Sequence, residues 1–228
     1  MIEFLFLDLD DTILDFHRAE RVALSKTLIH FGIDPTEHVL NRYHLINKSC
    51  WERLEKGQLT RDQVVVERFR LLFLELGLAC DPEAVTALYS KNLAIGHWFM
   101  PGAEEAVKRL SGKYRLFLAS NGTASVQAGR MTSANLYRFF EKAFVSQEIG
   151  YNKPSLEYFQ RCFAQIPDFD PEKAMMVGDS LTSDIQGGNN AGIRTCWINP
   201  QHRPNPTAFQ PHYEIEALPQ LEALLESL

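Results

Sequence analysis

Residues Phe4-Leu5-Phe6-Leu7 form an unbroken apolar run that stops abruptly at Asp8, Asp10 and Asp11. Such a run predicts a strand buried on both faces of a parallel sheet. Carboxylates are costly to bury unless paired, hydrogen-bonded or bound to a cation. The acids therefore belong at the C-terminal edge of the strand, where open α/β sheets bind ligands. Alternation along the strand sends Asp8 and Asp10 to one side and Leu9 to the other. Two acids aimed together at a sheet edge suit a hard cation and acid/base chemistry. A calcium loop opened by Asp8 would need Gly at its sixth position and Glu at its twelfth. The chain has Ile13 and Ala19 there, which excludes that loop. A solvated turn is the plainer alternative, and the rest of the chain decides between the two.

After this strand, residues 16–99 read as helix. Ala19, Val22, Ala23, Leu24 and Leu28 share one face, and Gly32 is a stop. A second helix spans Thr36 to Lys56, closed by Gly57. Thr60 and Gln63 make a capping box for a third, with Val64, Val65, Phe69, Leu72 and Phe73 on its core side. Asp81-Pro82 opens a fourth. Four helices with short connections predict a helical-bundle cap over 16–99, inserted into a domain made of 1–15 and 100–228. From Met100 onward helices alternate with short apolar strands, at Arg115–Ala119, Ala143–Val145, Ala174–Val177 and Arg194–Ile198. Helices are expected at 103–110, 124–134, 155–165, 182–191 and 218–225, with a Pro-rich surface segment at 200–211. That alternation predicts an α/β fold with a doubly wound parallel sheet.

In such a sheet the strand C-termini share one edge. Asp8, Asp10 and Asp11 stand there, with Ser120 and Asn121, Lys153 in a neighbouring loop, Asp179, and Asp184 five residues on. Each alone is weak: Ser-Asn-Gly and Gly-Asp-Ser are commonly turns, and a loop lysine is usually solvated. Their coincidence at one edge is the signal. Four carboxylates facing one lysine repel one another, and a divalent cation removes the conflict. Oxygen donors without His or Cys favour Mg²⁺ over zinc. A phosphate dianion would fit among the metal, Lys153, the Ser120 hydroxyl and backbone N–H groups. No P-loop or dinucleotide-binding glycine pattern is present.

Asp8-Leu9-Asp10-Asp11-Thr12, Ser120-Asn121, Lys153-Pro154 and Gly178-Asp179-Ser180-x-x-x-Asp184 resemble, in order, the four motifs of the haloacid dehalogenase-like (HAD) hydrolase superfamily. The resemblance spans essentially the whole chain and implies a Rossmann-like core with an inserted helical cap. It implies Asp8 as nucleophile, Asp10 as general acid/base, and Ser120, Asn121 and Lys153 as phosphate-binding residues. Asp179 would ligate Mg²⁺ with Asp8 and the Asp10 carbonyl, and Asp184 would support the site together with Asp11 and Thr12. Asp11 would orient the loop or gate the cap. An acid at position 10 also separates the chain from the dehalogenases of the superfamily, which attack carbon without a metal. The implied reaction is phosphomonoester hydrolysis through an aspartyl-phosphate.

The cap would choose the leaving group, and its candidates are Asn47 with Trp51, Arg61 in the turn after Gly57, and Arg68-Phe69. Trp51 lies at i+4 from Asn47, so it either stacks on a base or fills the bundle core. These segments, with the run from Gly178 to Gly192 and Thr195–Asn199, resemble the YjjG-type pyrimidine 5′-nucleotidases. That implies a small phosphate ester, a nucleotide such as UMP or dTMP, as substrate. A sugar-phosphate or phosphoglycolate phosphatase, a sugar-phosphate mutase and a phosphate-binding regulatory module are the alternatives. With a formal net charge of −6 and no Lys/Arg block, a nucleic-acid polymer is not expected as partner. No segment reads as a membrane span or signal peptide. The scattered cysteines Cys50, Cys80, Cys162 and Cys196 read as free thiols, so a cytoplasmic location is expected.

Overall fold

The computed structural model describes residues 1–228. Six strands form one sheet in the order β3-β2-β1-β4-β5-β6. They are β1 (Phe4–Leu7), β2 (Arg115–Ser120), β3 (Lys142–Val145), β4 (Ala174–Gly178), β5 (Arg194–Ile198) and β6 (Tyr213–Ile215). Every pairing is parallel, and β1 lies between β2 and β4 with Leu7 opposite both Leu118 and Val177. All four residues of β1 are buried, as its two-faced apolar sequence requires. On one face Phe6 stacks on Phe117 and Phe144, with ring centroids 5.3 and 6.3 Å apart. The chain is thus α/β with a Rossmann-like parallel sheet.

Ten α-helices accompany the sheet. The first four are α1 (Phe16–His30), α2 (Glu37–Glu55), α3 (Arg61–Leu76) and α4 (Pro82–Leu93). Their starts follow from local chemistry. The Thr36 hydroxyl accepts from the Val39 amide, Thr60 and Gln63 form a reciprocal capping box, and Asp81 caps α4 with Pro82 in its first turn. The others are α5 (Ala103–Ser111), α6 (Ala124–Ser133), α7 (Ser146–Ile149), α8 (Leu156–Phe163), α9 (Gln186–Asn190) and α10 (Leu221–Glu226). No helix is long and apolar enough to cross a membrane.

The chain divides into two compact units. One comprises Met1–Phe16, His97–Ala124 and Ala134–Leu228, and the other His17–Gly96 with Ser125–Ser133. From sequence alone, the last segment is expected in the α/β part. It groups with the helices because α6 packs closely against the end of α4. A Cβ on Gly129 would lie 2.8 Å from the Ala94 carbonyl oxygen, and the buried Arg130 donates to the Gly96 carbonyl at 3.2 Å.

Three local expectations differ from the structure. β6 replaces part of what reads as a plain connection to the last helix. The expected helix over 182–191 is a π-helical turn, Leu181–Ile185, followed by α9. The opening strand ends at Leu7, so strand alternation does not set the directions of Asp8 and Asp10.

Candidate active site

The acids after β1 sit in a tight turn rather than on the strand. The Asp8 amide extends the ladder by one bond, to the Val177 carbonyl at 2.9 Å. The chain then folds back, with the Ile13 and Leu14 amides both donating to the Leu9 carbonyl and the Asp11 amide to the Leu14 carbonyl at 2.8 Å. Leu9, Ile13 and Leu14 are fully buried and anchor the turn. Asp11 takes a left-handed backbone, φ 56°, which Asp tolerates better than most residues. Its Oδ1 accepts from the Phe16 amide at 2.9 Å and so caps the start of α1. Thr12 is buried and its hydroxyl has no hydrogen-bond partner.

Lys153 is the hub of the site. It is 1% exposed, and its Nζ donates to Asp8 Oδ1 at 2.7 Å, Asp184 Oδ1 at 2.6 Å and the Ala119 carbonyl at 2.6 Å. Those three acceptors use all the donors an ammonium has. Burial opposes its charge, but Asp184 and Asp8 outweigh that and its pKa is raised. Asn121 fixes the loop that delivers it: Asn121 Nδ2 donates to the Lys153 carbonyl at 2.8 Å, and the Lys153 amide donates to Asn121 Oδ1 at 2.9 Å. The Asn121 side chain is therefore committed to the Lys153 peptide, unlike the phosphate contact expected from sequence. Ser120, 1% exposed, ends β2 at the same sheet edge.

Asp184 is fully buried. Its second oxygen accepts from the Ser180 amide at 3.1 Å. The π-helical turn brings it back over the end of β4, so close that a Cβ on Gly178 would lie 2.1 Å from Asp184 Oδ2. Gly178 is the residue type that close approach demands. Asp179 follows it, half-buried, with its carbonyl accepting from Trp197 Nε1 at 2.8 Å. No hydrogen bond or ion pair reaches its carboxylate.

Asp8, Asp179 and Asp184 place carboxylate oxygens within 4.8 Å of one another. Burial, then the neighbouring acids, push Asp179 well above the usual carboxylate range. Asp8 is pushed up to about 7 by burial, against the pull of Lys153 and with the help of Asp184 and Asp10. When all are ionised, three carboxylates face one ammonium. A divalent cation on the two less committed ones, Asp8 and Asp179, would balance the cluster. The donor set is oxygen only, which fits Mg²⁺.

The sequence assigns Asp8, Asp10, Asp11, Thr12, Ser120, Asn121, Lys153, Asp179 and Asp184 to one sheet edge. It does not announce Gly178, whose lack of a side chain leaves room for Asp184, or Trp197, which holds the Asp179 carbonyl. The helical-unit candidates stand differently. Asn47 is buried, donates to Glu20 Oε1 at 2.7 Å and accepts from Arg68 Nη1 at 3.0 Å, so its amide belongs to an internal network. Trp51 and Arg61 are half-buried. Burial lowers the Arg61 pKa, with Asp62 opposing.

Known proteins resemble this chain over most of its length. The haloacid dehalogenase-like hydrolase family matches residues 5–198. The HAD-hydrolase YfnB of Bacillus subtilis is 39% identical over 221 residues, covering 97% of this chain and 94% of that protein. Its magnesium-bound crystal structure superposes with a TM-score of 0.94 over 98% of each chain, at 38% identity. The pyrimidine 5′-nucleotidase PynA of Streptococcus pneumoniae is 38% identical over 214 residues, 93% of this chain and 90% of its own. The pyrimidine 5′-nucleotidase YjjG of Escherichia coli is 28% identical over 223 residues, 98% and 97% of the two chains.

Proposed function

The chain belongs to the haloacid dehalogenase-like hydrolases, and from that premise we propose that it is a Mg²⁺-dependent phosphatase of nucleoside 5′-monophosphates, pyrimidine nucleotides foremost. The observation that carries this reading is the buried Lys153 ammonium held between Asp8 and Asp184, beside an Asp179 carboxylate with no partner of its own. Full-length similarity to PynA and YjjG supports the nucleotide as substrate.

Asp8 is the nucleophile. Its carboxylate oxygen attacks phosphorus, the bond from phosphorus to the ester oxygen breaks, and Asp10 gives its proton to the departing alcohol. Asp10 then takes a proton from water, whose oxygen attacks the aspartyl-phosphate, releasing inorganic phosphate and restoring Asp8. Once Asp8 turns to phosphorus, the Lys153 N–H that it releases joins the Ser120 hydroxyl on the equatorial phosphoryl oxygens, where most phosphoryl-transfer stabilisation is needed. Asp8 and Asp179, with the Asp10 carbonyl, would hold Mg²⁺, which when bound supplies Lewis-acid charge compensation to those oxygens. Asp184 keeps Lys153 aimed, and Asn121 holds its loop. Trp51 and Arg61 are proposed to read the nucleoside.

The test is phosphate release by the full-length chain in Mg²⁺ from UMP, dTMP, sugar phosphates and phosphoglycolate. The nucleotides should exceed the others by about tenfold or more in kcat/KM. Equal or faster sugar-phosphate turnover would remove the nucleotide assignment, and isomerised product without free phosphate would make the enzyme a mutase. Asp8→Asn should cut kcat by at least ~10³-fold with the fold retained; substantial residual turnover sinks the assigned nucleophile.

A further inference from the structure

The helical unit holds a second constellation of metal-ligating side chains, built from α1 and α2. His17 and Glu20 stand three residues apart on α1 and so share a face. His44 of α2 meets them, its Nδ1 2.7 Å from Glu20 Oε2, and the two imidazole rings lie 4.6 Å apart between centroids. One donor atom from each of the three side chains lies within 4.8 Å of the others. Glu20 is 2% exposed, His44 half-buried and His17 exposed, so the group is anchored below and open above.

The support beneath is what distinguishes this group from a chance surface pair. Glu20 Oε1 accepts from Asn47 Nδ2 at 2.7 Å, and Asn47 Oδ1 accepts from Arg68 Nη1 at 3.0 Å. Asn47 and Arg68 are both buried. Arg68 also donates to the Val65 carbonyl at 3.2 Å and lies 4.8 Å from the Tyr89 ring centre. A carboxylate oriented by an amide, itself oriented by a packed guanidinium, is the kind of outer shell that holds a metal ligand in one direction. Both Glu20 oxygens are thus engaged, Oε1 by Asn47 and Oε2 by His44.

We propose that His17, Glu20 and His44 form a binding site for a borderline transition-metal cation, Zn²⁺ foremost, distinct from the oxygen-only cluster around Asp8. Two imidazoles and one carboxylate select Zn²⁺, Co²⁺ or Ni²⁺ over Mg²⁺. Bonds of about 2.0–2.2 Å bring tetrahedral donors to roughly 3.4 Å from one another, within reach by small side-chain rotations. The ion takes the Nδ1 lone pair of a neutral His44 whose proton sits on Nε2, in place of the His44–Glu20 hydrogen bond, and water completes the shell. Bound there, it ties α1 to α2. An ion pair of His44 with Glu20 alone would leave His17 dispensable, and that difference decides the matter.

The experiment is Zn²⁺ titration of the full-length protein in excess Mg²⁺, by calorimetry and by metal content after dialysis. Wild type should retain one Zn²⁺ per chain. His17→Ala and His44→Ala should each weaken binding by about tenfold or more, while Asp179→Asn should leave it unchanged. His17 is exposed, so H17A tests the site even where H44A fails to fold. No retained Zn²⁺ in wild type, an unchanged Kd in H17A, or loss of binding in D179N would each overturn the proposal.

Discussion

Gly178 shows how much the site depends on the absence of one carbon. Asp184 occupies the space a side chain at 178 would need, with a Cβ 2.1 Å from its Oδ2. The same carboxyl group holds Lys153 at 2.6 Å and the Ser180 amide at 3.1 Å. Gly178→Ala must therefore push Asp184 away and release one of the three acceptors on the Lys153 ammonium. Overpacking of this kind costs about 1–3 kcal/mol, and a buried charge that loses a partner adds to it. The expected result is a lower urea midpoint together with a fall in phosphate release of about tenfold or more. Wild-type values for both would refute the account. Asn121→Ala is milder. It removes two hydrogen bonds to the Lys153 peptide, at a cost of about 1–3 kcal/mol, and should lower kcat by loosening the Lys153 loop. A change confined to stability would limit Asn121 to the fold.

Among the elements, α3 offers the cleanest test because its start rests on two reciprocal bonds. The Gln63 amide donates to the Thr60 hydroxyl at 3.3 Å and the Thr60 amide to Gln63 Oε1 at 2.8 Å. Thr60→Ala should cost about 1 kcal/mol in unfolding experiments, and an unchanged midpoint would mean the box adds nothing. That box was legible in the sequence, as were the starts of α2 and α4, because capping is local chemistry. β1, β2, β4 and β5 were legible for a related reason: strands buried on both faces cannot hide their apolar runs. β6 was not, since it has three residues and only Ile215 is buried. The π-helical turn at Leu181–Ile185 was not either, because it goes with Asp184 packed over Gly178, a contact that residue preference does not announce. The motif acids were readable as a set, but Asn121 and Asn47 were not readable as internal struts. An amide aimed at a ligand and one aimed at a neighbouring peptide look identical in sequence. Likewise, α6 groups with the helical unit through Gly129 and Arg130, contacts that no periodicity announces.

For the whole molecule, the acid cluster couples folding to pH and to metal. Asp8 has an ordinary value of 3.8 and about 7 in the folded chain, raised chiefly by burial. Between those values the unfolded chain has released a proton that the folded chain retains, so stability falls as pH rises from about 4 to about 7. Asp179, also raised, acts in the same direction. Lys153 does not oppose this in that window, because a lysine whose pKa is raised gives up its contribution only above its ordinary value of 10.5. The acids at exposed ion pairs, such as Glu75 with Arg42 and Glu141 with Arg115, have lowered values and act the other way, weakly. The Asp8 contribution is isolated by comparing wild type with Asp8→Asn, which does not titrate. In chelator, the unfolding free energy of the variant relative to wild type should rise between pH 4 and 7, by on the order of a few kcal/mol, and then level off. Saturating Mg²⁺ should stabilise wild type more at pH 8 than at pH 5, because the cation and the protons compete for the same oxygens. A Mg²⁺-induced shift in Tm that is equal at the two pH values, or that persists undiminished in Asp179→Asn, would mean that these carboxylates are not where the cation binds.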